Sequence, residues 1–298
     1  LMLREDGIVL DDGTVSRLSD NLWYVTTTTA HAARILAHME FHRQAVWPDL
    51  AVELTDVTEQ LAGIALAGPG SRAVLARAVG AADVSDAALP FMGAKEARIA
   101  GCPVLLLRIS FSGERAYEIH TPSGYGSRVW GVLMAAGENE GIVPYGTEAM
   151  GMLRLEKGHA AGAELDGRTT PADLGLERLA SRKKDYVGRA AQGRPALLDP
   201  KRLRLVGLVP EDGRSPIRPG AQIVEDPVSS APVPSLGHVT SADFSPMLEK
   251  PIALALVSGG LKRKGQTLHA TYPLKGETVA VVVSDPVFFD PEGRRLRG

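Results

Sequence analysis

What most restricts the folds open to this chain is the punctuation of its last third. From about Lys201, short apolar runs at Leu203 to Val209, Ala221 to Val224, Gly237 to Thr240, Ile252 to Val257, Thr267 to Tyr272 and Thr278 to Val283 are separated by Pro and Gly. Each run is long enough for one strand and too short for a useful helix, so the spacing predicts a small β-barrel or sandwich. The preceding part interleaves helical spacing with two-residue alternation, as a mixed α+β or α/β domain does. Between them, Gln192 to Pro200 is polar, carries prolines and lies where the period switches. The expected division is therefore 1–196 and 197–298, with the cut near Ala196.

Within the first part, Thr29 is expected to cap a helix running to about Ala45, with Ala32, Ile35, Leu36 and Met39 on one face. A strand is expected near Val52 to Val57. Ile64 and Leu66 alternate before Gly68-Pro69-Gly70-Ser71, and Val74, Leu75, Ala78 and Val79 then keep helical spacing until Gly80, a strand–turn–helix unit. Arg98 to Ala100 and Val104 to Phe111 flank Gly101-Cys102-Pro103 as a hairpin, and Ala116 to His120 supplies another strand. A helix after Pro122 is expected to bury Val129, Trp130, Leu133 and Met134. Thr147 is expected to cap one more, with Met150, Leu153 and Leu155 available for packing.

Composition removes several classes of function. With 298 residues and 44% hydrophobic side chains the chain can bury a real core, which excludes disorder. Lys plus Arg total 33 against 35 Asp plus Glu, and the longest basic run is Arg182-Lys183-Lys184, so a nucleic-acid backbone has no electrostatic footing. Small molecules or other proteins are the expected partners. No apolar run approaches the roughly 20 residues of a membrane helix, so no membrane is expected. Cys102 is the only cysteine, which excludes an internal disulfide and suggests a reducing, cytoplasmic compartment. The first residues turn charged at once, unlike a signal peptide, and read as the middle of a gene product.

Chemistry-bearing motifs are sparse. His38-Met39-Glu40-Phe41-His42 lacks the His-Glu-x-x-His order of zinc proteases, so both histidines are read as surface residues and no metal is expected. Neither Gly-x-Ser-x-Gly nor Gly-x-Gly-x-x-Gly after a strand occurs. Ser71 at its helix start is read as a structural turn without a role. Asp11 and Asp12 follow Gly7-Ile8-Val9-Leu10, and strand alternation puts them on opposite faces, so either one carboxylate turns inward for proton chemistry or both form an exposed turn pair. Glu156, in Leu153-Arg154-Leu155-Glu156-Lys157-Gly158, either binds a ligand or pairs on the helix surface with Arg154 or Lys157.

Taken in order, Glu5-Asp6-Gly7-Ile8-Val9-Leu10-Asp11-Asp12, Leu66-Ala67-Gly68-Pro69, Ser112-Gly113-Glu114, the Leu153 to Gly158 motif, Thr170-Pro171, His238-Val239-Thr240-Ser241 and Ser245-Pro246 resemble the folate-binding aminomethyltransferase family of the glycine cleavage T-protein. The resemblance covers nearly the whole chain. Ser181 to Gly188 and Asp285 to Pro291 are most similar to the oxidase branch, the C-terminal half of the sarcosine oxidase alpha subunit. It implies a split α/β folate-binding domain, lacking its N-terminal part, followed by a C-terminal β-barrel. Tetrahydrofolate is the implied cofactor, with flavin and NAD expected only on missing regions or partner subunits. The implied partners are the beta, gamma and delta subunits of sarcosine oxidase, and the implied role is capture of the one-carbon unit of oxidised sarcosine as 5,10-methylenetetrahydrofolate.

Carried onto this sequence, the resemblance makes Asp12 the catalytic carboxylate and Asp11 structural, Glu156 the acceptor of the pterin N–H groups, and Lys184 the partner of the folate glutamate tail, with Arg182 and Lys183 adjacent. The chain departs from the T-protein pattern at Ser110-Phe111-Ser112, which removes a tyrosine hydroxyl. It departs again at Phe288 and Phe289, where a tyrosine stands in some members. A stand-alone aminomethyltransferase is the rival within the family. A folate-binding iron–sulfur assembly factor is the rival outside catalysis, disfavoured because Lys157-Gly158-His159 replaces that group's Lys-Gly-Cys.

Overall fold

In the computed structural model, which describes residues 1–227 and 232–297, the chain opens on two short paired strands, β1 (Met2–Leu3) and β2 (Val9–Asp11). Contacts then divide it into two units. One comprises Asp11–Tyr145 and the residues from Gly293 on, and the other Leu1–Leu10 with Gly146–Glu292.

The Asp11–Tyr145 unit carries a hairpin, β3 (Val15–Ser19) and β4 (Leu22–Val25), and a four-stranded antiparallel sheet. The sheet is built from β5 (Leu61–Ala67), β6 (Ala94–Ile99), β7 (Cys102–Leu107) and β8 (Ala116–Pro122) in the order β5-β8-β7-β6. Helices α2 (Ser71–Val79) and α3 (Gly126–Gly137) cover one face, where Leu75, Leu106, Tyr117, Ile119 and Val129 are wholly buried. Along β8, Tyr117, Ile119 and Thr121 are buried while Glu118 and His120, on the other face, stay half-buried. Helix α1 (Ala32–Phe41) continues through a π-type turn to Val46.

Several local expectations fail here. Val52 to Val57 forms no strand. Neither Thr29 nor Thr147 caps its helix through a side chain, since Thr29 lies inside a 3-10 turn and Thr147 is the first residue of α4 (Thr147–Glu156). Trp130 is 44% exposed, because Val129 and Leu133 already fill the α3 face against the sheet. The β6–β7 turn is Ala100-Gly101, both at positive φ, so Ile99 faces Cys102 and the thiol sits in the core instead of the turn. His42 is buried rather than on the surface, with its Nδ1 2.8 Å from the His38 carbonyl and its ring beside Phe41, His38 and Trp47.

In the other unit, β9 (Leu203–Pro210), β10 (Gln222–Val224), β11 (Gly237–Ser245), β12 (Lys250–Ser258), β13 (Thr267–Tyr272) and β14 (Glu277–Ser284) close an antiparallel barrel in the order β10-β11-β12-β9-β14-β13. Every apolar run expected to be a strand is one. On β12, Ala253, Ala255 and Val257 point into the barrel, while Ile252, Leu254 and Leu256 pack outside it with Leu155 of α4. Burial on both faces explains why β12 reads as an unbroken apolar run. Leu3 and Val9 pack on Leu174 and Tyr186, tying β1 and β2 to the 160–186 loop. Among the described residues, no helix is long and apolar enough to cross a membrane.

Candidate functional site

Asp11 ends β2 completely buried, and its carboxylate accepts the Thr28 amide at 3.1 Å and the Thr28 hydroxyl at 2.8 Å. His31 Nδ1 stands 3.3 Å away. Two charge-assisted bonds account for its burial, since a carboxylate taken from water must be matched by donors. Asp12 is half-buried, and no other residue among those described donates to its carboxylate. Burial, followed by the neighbouring Asp11 charge, pushes the Asp12 carboxyl above its ordinary value. The chain passes so close at Gly13 that a Cβ there would lie 1.9 Å from the Thr26 carbonyl oxygen. Only glycine permits this approach.

In the same unit the Tyr24 hydroxyl lies 3.1 Å from His120 Nδ1, and His120 Nε2 lies 3.3 Å from Glu118 Oε2. The pairing with a carboxylate favours an Nε2–H tautomer, which leaves Nδ1 to accept from the tyrosine. Burial, then the Glu118 charge, raises the Tyr24 phenol above its usual range. Tyr24 and His120 line a cavity of about 460 Å³ whose remaining wall includes Trp23, Ile35, Leu36, Met39 and Leu54. Nothing in the sequence marks this triad, because Tyr24 and His120 are 96 residues apart.

Glu156 closes α4 and is only 3% exposed. Neither Arg154 nor Lys157 pairs with it. Arg154 donates to Glu164 Oε2 at 2.9 Å, to Ser241 Oγ at 2.6 Å and to the His159 carbonyl, while Lys157 Nζ reaches the Asp290 carbonyl at 2.5 Å. Oε1 of Glu156 instead accepts the Ser245 hydroxyl and, at 3.4 Å, the Met247 amide, and no donor among the described residues reaches Oε2. The backbone carbonyl of Glu156 accepts the amides of Phe288 and Phe289 at 2.9 and 3.0 Å. Gly158, at φ +70°, passes where a Cβ would lie 2.3 Å from the Pro286 carbonyl oxygen. A buried carboxylate with one oxygen anchored by two donors keeps its other oxygen for an incoming N–H donor.

Lys184 sits in an exposed turn of the barrel-bearing unit, where its amide donates to Ser181 Oγ at 2.9 Å and its carbonyl accepts Arg189 Nη1 at 2.7 Å. Its ammonium is exposed. Glu156 and Lys184 thus belong to one unit and Asp12 to the other. Ser245 is the residue beside Glu156 to which sequence reasoning attached no role. The signal available was its place in the Ser245-Pro246 pair.

A family model described as the GCVT N-terminal domain matches residues 1–184, and one described as the glycine cleavage T-protein C-terminal barrel domain matches residues 204–290. Sarcosine oxidase subunit alpha of Rhizobium meliloti is 45% identical over 299 residues, which cover 99% of this chain and 30% of that protein. An aminomethyltransferase of Streptomyces coelicolor is 34% identical over 263 residues, covering 86% of this chain and 67% of its own length. The crystal structure of glycine cleavage system aminomethyltransferase T from Bartonella henselae matches with a TM-score of 0.79 at 26% identity, over 97% of this chain and 74% of that one. The chain spans 30% of the length of the sarcosine oxidase relative.

Proposed function

The chain belongs to the glycine cleavage T-protein family, and from that premise we propose that it supplies a tetrahydrofolate site on which the one-carbon unit of an oxidised N-methyl amine is captured, as part of a sarcosine oxidase. In this reading residues 1–196 are the folate-binding domain and residues 197–298 the barrel domain. The supporting observation is the half-anchored buried carboxylate of Glu156, whose Oε2, reached by no donor among the described residues, suits an N–H of a pterin ring. The 45% identity to a sarcosine oxidase alpha subunit over 99% of the chain favours the oxidase branch. The beta, gamma and delta subunits are the proposed partners, flavin and NAD belong to them or to regions outside this chain, and the cytoplasm is the proposed compartment.

When bound, tetrahydrofolate supplies the amine nitrogens that accept a formaldehyde-level carbon. Glu156 holds the ring by its N–H edge, and Lys184 meets the anionic tail. Asp12 orients the reacting amine and takes up its proton. A carboxylate raised by burial is a stronger base once ionised, which suits that task. Orientation carries most of the rate, since holding the reactants in place removes a large entropic barrier.

Calorimetric titration of 5-formyl-tetrahydrofolate into the chain tests the reading. Saturable binding is expected, weakened about tenfold or more by Glu156→Gln, because a hydrogen bond to a charged group is worth about 1.5–3 kcal/mol. Absence of binding by the parent chain refutes it. Asp12→Ala should impair one-carbon capture by the assembled enzyme more than it impairs folate binding, and equal losses argue against its proposed role. A stand-alone aminomethyltransferase is the second reading, favoured by the Streptomyces coelicolor relative, of which this chain covers 67%. Dependence on a lipoylated carrier supports that reading, and co-purification with a flavin-bearing subunit supports the first.

A further inference from the structure

Strand β11 changes phase midway, and the change places two serines where α4 needs them. The register of β11 on β12 slips between Val239 and Ser241, with Thr240 as the extra residue, its hydroxyl donating to the Leu254 carbonyl at 3.0 Å. Before the bulge Val239 points into the barrel, and after it Ala242 does. Odd-numbered positions are therefore transferred from the inner face to the outer one, as a bulge does in a two-residue repeat. Ser241 and Ser245 then share the outer face. Ser241 accepts Arg154 Nη2 at 2.6 Å and donates to Glu164 Oε1 at 2.7 Å, while Ser245 donates to Glu156 Oε1. Arg154 and Glu156 are both on α4, so one strand face sets the height and rotation of the helix that carries the carboxylate.

The Ser245 hydroxyl has little freedom. It is wholly buried and accepts the Leu248 amide at 3.1 Å, so its single proton is left for Glu156. The Met247 amide reaches the same oxygen at 3.4 Å. One donor ends β11 and the other lies in the turn after it, and both take Oε1.

We propose that Ser245 is a positioning residue for ligand recognition: with the Met247 amide it clamps Oε1 of Glu156, so that Oε2 is the oxygen presented to a ring N–H of the ligand. The inference rests on the folate reading above and adds to it the group that orients the recognising carboxylate. Without the clamp the carboxylate rotates about its last torsion, and Oε2 faces the ligand for only part of the time.

The test is a double-mutant cycle in the full chain, with 5-formyl-tetrahydrofolate as the probe in calorimetry and thermal unfolding measured alongside. Ser245→Ala is expected to weaken binding about tenfold, Ser245→Thr less than about threefold, and Ser245→Ala in a Glu156→Gln background less than about twofold further, because coupled neighbours are non-additive. A purely structural role gives the same loss in both backgrounds. Without ligand, the ¹³C carboxyl resonance of Glu156 should move in Ser245→Ala and stay near the parent's in Ser245→Thr. If Ser245→Ala does not fold, Ser245→Cys gives the same comparison, since it retains a small buried group with only a weak donor. Parental binding that Ser245→Ala leaves unchanged, or equal losses in both backgrounds, overturns this inference alone. No binding by the parent overturns the folate reading and this inference together.

Discussion

Replacing Asp11 by Ala, and separately Asp12 by Asn, should act on stability in opposite directions although the two residues are neighbours. Asp11 is wholly buried and accepts two bonds from Thr28, at 2.8 and 3.1 Å. Bonds to a charged acceptor are worth about 1.5–3 kcal/mol each, and the abandoned donors stay desolvated, so Asp11→Ala should cost about 3–5 kcal/mol. That is a large part of the roughly 5–15 kcal/mol by which a domain is stable. Asp12 has the reverse balance. Its carboxyl is raised from 3.8, so its favourable contribution is complete below that value and is lost as pH rises through the raised folded value. At pH 7, Asp12→Asn should therefore leave the protein as stable as the parent or more so, and the difference should vanish as pH falls below 3.8.

The assay is urea unfolding followed by tryptophan fluorescence. Trp23, Trp47 and Trp130 are the chain's three tryptophans and all lie in the Asp11–Tyr145 unit, so the signal reports that unit even if the other unfolds separately. With a slope of about 1–3 kcal/mol per molar urea, Asp11→Ala should lower the midpoint by about 1–5 M. A loss within about 0.5 kcal/mol, the scale of a surface substitution, together with destabilisation by Asp12→Asn, would reverse the assignment of the pair.

Gly158→Ala should destabilise the barrel-bearing unit by more than the roughly 1–2 kcal/mol of a left-handed backbone conformation, because its Cβ also meets the Pro286 carbonyl oxygen at 2.3 Å; circular dichroism melting checks it. Arg154→Ala leaves wholly buried Glu164 without its guanidinium and should cost about 3–5 kcal/mol in chemical denaturation, and Arg154→Lys should not restore this, since a lysine cannot reproduce the fork to Glu164 and Ser241. Tyr24 and Tyr145 should both ionise above the usual 10.0, each held up by burial and then by the Glu118 charge; in ultraviolet pH titration Tyr24→Phe should remove one of these late transitions, and its persistence would disprove the assignment.

Much of the barrel was legible from periodicity alone. Leu203 to Val209, Ile252 to Val257 and Thr278 to Val283 are local signals, and each became a strand because closing the sheet buries the apolar faces they carry. The same reasoning failed at Val52 to Val57, where alternation found no partner strand, and at Trp130, whose neighbours on α3 filled the core without it. For Asp11 and Asp12, the repeat showed that they face opposite ways but not which faces inward. The Thr28 donors decide that from 17 residues away.

Left to itself, the sequence determined the six strands of the barrel, where the texture switches, and, through its ordered motifs, the family. Those properties depend on neighbours a few residues apart, so chain order is enough to read them. Tertiary structure alone decided that Glu156 pairs with Ser245, 89 residues on, rather than with Arg154 or Lys157 beside it on the helix. The physical reason is that a buried charge takes whichever donors the folded backbone brings within about 3 Å, and one extra residue in β11 sets which those are.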